Sequence, residues 1–129
     1  MADWNALRGY IKRNYKIAED GLDCMKLVFD IDGTRKQAVR VTKMGDSGWA
    51  EIATAVCRED EISPREALLR NGKMIVGGLA LQQGSGLVIF RHAFPLANLD
   101  PDEFEEPLLL AVNYGDRLER ELSGGGDLW

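Results

Sequence analysis

One histidine, two cysteines and a short run of carboxylates are the side chains here with types suited to chemistry, and their spacing restricts what that chemistry is. A lone His92 cannot build a multi-histidine metal site. If its stretch is a strand, alternation places it with Val88 and Phe90, as a satisfied histidine near a sheet's end. Cys24 and Cys57 are far apart and lack metal-ligand spacing. On the first and third strands of a meander, two spacings of about 4.8 Å would hold them beyond the roughly 7 Å reach of a disulfide, so free thiols and a reducing compartment are expected. Asp102, Glu103, Glu105 and Glu106 invite an acid/base or cation-binding reading, but the first turns of a helix favour negative charge without one. No serine or cysteine lies in a nucleophile motif, and Gly84-Ser85-Gly86 lacks the Gly-Lys-Ser/Thr ending of a phosphate loop. Gly77-Gly78 marks a close approach: to a ligand, or more ordinarily a bulge or a tight helix contact. A small-molecule or enzymatic site would need a polar cavity behind Arg91 and His92. The residues therefore point to no catalysis, no cofactor and no metal, and leave binding as the function to look for.

The elements that position these residues are clear. In Asp100 to Leu122, Phe104, Leu108, Ala111, Gly115, Leu118 and Leu122 recur at steps of three and four, one apolar stripe on a helix. Glu105, Asn113, Asp116, Arg117, Glu119 and Arg120 fall on the side expected to face water. Asp100 can cap this helix, Pro101 suits its first position, and Gly124 to Gly126 end it. Pro107 predicts a kink a turn in, or else a separate first turn. Earlier, Asp3 caps a helix whose Trp4, Leu7, Ile11 and Tyr15 share a face. Lys16 to Asp23 reads as a loop. From Cys24 the period changes to two, giving strands over Cys24 to Asp32, Gln37 to Lys43 and Trp49 to Arg58, with turns at Asp32-Gly33 and Gly45 to Gly48. Ser63, Pro64 and Glu66 open a short helix with a capping box, stopping at Asn71-Gly72. Strands follow over Met74 to Gln82 and Leu87 to Ala93. The expected fold is α+β in the order α-β-β-β-α-β-β-α: a five-stranded antiparallel sheet with two helices on one face, a single domain over 1–129 whose tail, 123–129, is glycine-rich.

Both faces of the last hairpin are apolar. Ile75, Leu79, Leu81, Val88 and Phe90 oppose Met74, Val76, Ala80, Leu87 and Ile89, and on the third strand Trp49, Ala53 and Ala55 oppose Ala50, Ile52 and Val56. A one-sided antiparallel sheet alternates more cleanly. The short helix can shield part of the second face, and the rest is expected to meet another chain. The net charge of −5 argues against a nucleic-acid partner, the locally basic stretch from Lys12 to Lys43 reading as a solvated face. No apolar run is long enough for a membrane span, and the first residues lack a signal-peptide core, so a cytoplasmic location is expected.

Several phrases meet a known family. Trp4, Leu7 and Tyr15, then SPREALLRNGK, GGLAL, RHAFPLANLD and FEEPLLLAVNYGDRLERELSGG, make the chain resemble the bacterial YbjN-type proteins, which share the fold of class I type III secretion chaperones such as the Tir chaperone. The resemblance implies a small, acidic, cytoplasmic homodimer that holds an extended segment of a client protein. It implies a dimer interface at Ala67, Leu68, Leu69, Met74 and Val76. Client contacts are expected on the sheet, at Trp49, Ala53, Leu87 and Ile89, helped by an exposed strand edge. YbjN-type members also occur away from secretion systems, labelled as sensory-transduction regulators. The alternative is therefore a regulatory module acting through one protein partner.

Overall fold

The computed structural model describes residues 3–123 and 128–129. Helix α1 (Trp4–Asn14) begins as Asp3 accepts from the Ala6 amide at 2.8 Å, and it buries Trp4, Leu7 and Ile11. A sheet follows, formed by β1 (Ile17–Asp20), β2 (Cys24–Asp30), β3 (Lys36–Lys43) and β4 (Trp49–Arg58). After a turn of 3-10 helix over Glu59–Glu61 come α2 (Pro64–Asn71), β5 (Gly78–Gln82), β6 (Leu87–Pro95) and α3 (Pro101–Ser123). All pairings are antiparallel, in the order β1-β2-β3-β4-β6-β5.

The sheet thus has six strands, not the expected five. The extra one, β1, lies in the stretch read as a loop. It is an edge strand with only Ile17 partly buried, so it carries no apolar alternation to announce it. Its charges serve the edge: Asp20 pairs with Arg8 at 2.8 Å and Lys12 at 3.0 Å on α1, which ties strand to helix and discourages further strand addition there. The Arg8 hydrogen bond, then that of Lys12, holds the Asp20 carboxyl below its ordinary range.

The main core lies between the sheet and the helices. Met25, Leu27, Val39, Val41, Ile52, Val56 and Phe90 meet Leu7 and Ile11 of α1 and Phe104, Leu108, Ala111 and Leu118 of α3. Tyr10, Tyr15, Phe29, Phe94 and Phe104 interlock edge-to-face, with ring centroids 6.0 to 6.5 Å apart. The expected stripe of α3 is the buried one. Asp100 and Glu103 cap it reciprocally, at 2.9 and 3.0 Å, and the helix runs unbroken through Pro107 to Ser123, so no separate first turn forms. The expected stop at Gly124 to Gly126 lies outside the described residues. Asp116 and Glu119, expected in water, are buried. Asp116 is held there by Arg35 and Arg120, each at 3.2 Å. Gly115 brings α3 down onto β4, where an added Cβ would stand 2.5 Å from the Thr54 methyl.

Helix α2 corrects a second expectation. It shields none of the far face: it lies beside α3 on the core side, with Ala67 against the core and Arg70 bonded to Glu121 at 3.2 Å. Ser63 caps it at 3.0 Å, but Glu66 reaches forward to Arg70 rather than back to Ser63. Strand β5 starts at Gly78, not Met74. Gly77 has φ +71, with the Arg91 carbonyl and the Phe90 ring too near for any Cβ, so 74–77 is a connecting turn.

Candidate protein-binding surfaces

The residues suited to chemistry are absorbed by the fold. Burial and nearby Glu61 push the Cys57 thiol up to about 11, away from thiolate reactivity. Cys24 accepts from the Thr42 hydroxyl at 3.3 Å, and both cysteines are free thiols. His92 stacks on Phe94, with centroids 6.3 Å apart, and burial followed by the Arg91 charge lowers its pKa. Glu105 accepts from the Tyr10 hydroxyl, a bond that raises the tyrosine's pKa. Among the described residues no group of acidic, histidine or cysteine side chains is arranged to hold a metal ion. No described helix is long and apolar enough to cross a membrane. A shallow hollow of about 300 Å³ does lie beside Arg91 and His92, between Gly77, Gly78 and Ala93.

One contact surface surrounds α2 and β5. Of the residues expected at a dimer interface, Leu68 and Leu69 are 70% and 55% exposed, while Ala67, Met74 and Val76 are half-buried, Ala67 and Met74 packed against the core. Two further residues belong with them: Ile75, 99% exposed, and Leu81, 58% exposed. Ile75 escaped the strand reading because alternation assigned it to a sheet face, whereas the turn at Gly77 lifts it into solvent. Leu68 and Leu81 rim a hollow of about 350 Å³ floored by Ile62, Leu79 and Val88.

Strand β5 is an edge, and the fold closes only part of it. The Asn71 carboxamide takes the Leu79 amide at 2.6 Å and gives to the Leu79 carbonyl at 3.1 Å, filling the place of a neighbouring strand's peptide. Since Leu79 turns its backbone groups outward, Leu81, two residues on, does the same. Among the described residues none fills that place at Leu81, where the ladder lies open beside an apolar hollow.

The other surface is the sheet's far face, where the client contacts were expected. Trp49 is 45% exposed at its margin, but Ala53, Leu87 and Ile89 are buried together with Ala55. Their cover is the chain's own tail, Leu128 and Trp129, with the Arg40 guanidinium 4.7 Å from the centre of the Trp129 ring. Trp49 thus stays apart from the other three. No helix lies on this face among the described elements; two side chains from the end of the sequence do.

No protein-family model and no curated protein matches the chain. Solved structures do. A chain of the HopA1-SchA chaperone-effector complex superposes with a TM-score of 0.64 at 14% identity, covering 88% of this chain and 88% of that one. A chain of the ExsC-ExsE complex gives 0.68 at 16% identity, covering 95% and 97%. The likeness is one of fold: the α+β arrangement expected from the resemblance is shared with these chains, and the sheet has six strands where five were expected.

Proposed function

We propose that this chain is a non-catalytic, chaperone-like binding module of the YbjN type, which pairs with a second copy around α2 and β5 and holds an extended apolar segment of a client protein. The observation that carries the reading is the shelf of Leu68, Leu69, Ile75 and Leu81 beside a strand edge left open at Leu81. Four large aliphatic side chains in water, two of them, Leu68 and Leu81, at the rim of a hollow, are unfavourable for a lone chain and favourable at a contact. Two such shelves together offer a core of the kind found at the centre of an obligate interface. The solved complexes of the same fold, one described as chaperone-effector, support protein as the partner class.

Nothing in this mechanism is chemical. An extended client segment gains backbone hydrogen bonds at an open edge and buries alternate side chains in apolar grooves. It is kept from aggregating because its own edges and side chains are occupied. Sedimentation equilibrium tests the pairing, and affinity capture of bound proteins from the host tests the holding. A dimer that retains a range of apolar segments is the expected result. A strict monomer at high micromolar concentration sinks the pairing, and one recurrent folded partner replaces holding with regulation.

A further inference from the structure

The far face of the sheet has a shape that explains why the tail settles there. Val28 is level with Ala38, Ala55 with Ile89, and Ile89 with Ala80 in the strand register, and Ala38 and Ala55 line one small hollow beside Leu128 and Trp129, so small and aliphatic side chains form a row running across the strands. Spanning five strands at about 4.8 Å each, such a row is long enough for several residues of an extended chain. In the next row Arg40 is level with Lys26, which lies level with Glu19 of β1. Leu128 and Trp129 pack on Ala53, Ala55, Leu87 and Ile89, with the indole under the Arg40 guanidinium. An aliphatic–aromatic pair therefore fits the floor, and a cation grips the ring.

From this occupancy we infer that the far face is a peptide slot and that Leu128–Trp129 is its internal occupant, displaced when an extended partner segment carrying an aliphatic residue followed by an aromatic one binds. This builds on the holding function proposed above by naming the chemistry of the segment held. Arg40 adds a preference for an acidic residue beside the pair, which the tail's own sequence, Asp127-Leu128-Trp129, contains. The tail acts as a competitor present at high effective concentration. It leaves the small-residue floor covered until a better segment arrives, and it weakens capture of poor ones.

The experiment uses the full chain and a fluorescent peptide of residues 122–129. In the L128S/W129S variant the slot is vacant, and the peptide should bind at least about tenfold more tightly than to the wild-type chain, whose own tail competes. Adding Arg40→Ala to that variant, or changing the peptide's tryptophan to alanine, should remove binding. Equal binding to wild type and variant, no binding to either, or loss of the variant's fold by circular dichroism overturns the inference. A wild-type dimer that L128S/W129S dissociates also overturns it, because the tail would then be exchanged between copies. The assay needs no client, so it separates the two readings. A slot that takes the peptide in a chain that captures no segment from the host leaves the inference standing and removes the holding function, and the reverse result does the opposite.

Discussion

Gly115 shows how one missing side chain sets the helix-to-sheet distance. Thr54, below it, cannot move aside: its hydroxyl accepts from Gln37 at 2.6 Å and donates to the Ala38 carbonyl at 2.7 Å. Gly115→Ala gains about 1 kcal/mol of helix propensity, but overpacking a rigid contact costs about 1–3 kcal/mol, so the variant should be less stable by urea denaturation. Thr54→Ser removes the obstructing methyl and keeps the hydroxyl, so the double variant should recover most of the loss. Additive losses would show that the methyl is not the obstacle. His92 supports a second prediction at this scale. Its folded pKa lies below the ordinary 6.5 because burial disfavours the imidazolium. As pH falls below 6.5 the unfolded chain takes up the proton first, so stability present above that value is lost on the way down. The melting temperature should fall more steeply between pH 7 and 5.5 for the wild type than for His92→Gln, and parallel profiles would dismiss the histidine as the cause.

Elements were legible in proportion to how one-sidedly they are buried. The stripes of α1 and α3 and the alternation of β2 and β3 each describe one wet and one dry face, and those elements were read correctly from period alone. β1 has almost no dry side, and its charges answer to α1 instead of to a core. The start of β5 failed for the opposite reason: Met74 to Val76 are apolar enough to read as strand, and only the left-handed backbone of Gly77 ends it. Asp116 looked solvated because a helix wheel cannot see Arg35 arriving from 81 positions away in the chain. Asn71 carries the sequence signal of a helix stop, and it also closes part of the β5 edge. Replacing it with alanine removes two side-chain hydrogen bonds to Leu79 and should cost about 1–3 kcal/mol. The Leu79 amide should then exchange with solvent markedly faster by hydrogen-exchange mass spectrometry, while β2 and β3 are unchanged. An unaltered Leu79 would mean that water or another group serves the edge as well.

Across the whole molecule, the sequence signal of a sheet apolar on both faces was sound, but what covers the second face was not legible in it. Leu128 and Trp129 are separated from the last helix by Gly124 to Asp127 and belong to no periodic pattern, so nothing in their spacing connects them to Ala55 or Ile89. With the tail on the far face, the open apolar area that asks for a second copy moves to the α2–β5 shelf. A dimer there should be split by Leu68→Glu with Leu69→Glu. Each leucine buried at an interface contributes about 1.5–3 kcal/mol, and a two-fold contact uses each one twice. The dissociation constant should therefore rise by about a thousandfold or more, at roughly 1.4 kcal/mol per decade. Because both side chains stand in solvent in the single chain, its urea midpoint, measured at a concentration where the wild type is already dissociated, should barely change. Ala67 supplies the contrast: it packs against the core, so Ala67→Glu should unfold the chain where the leucine pair does not. If the leucine double variant keeps the wild-type mass, the shelf is not where copies meet. If it unfolds, the two leucines belong to the chain's own core, and the case for pairing through α2 fails with them.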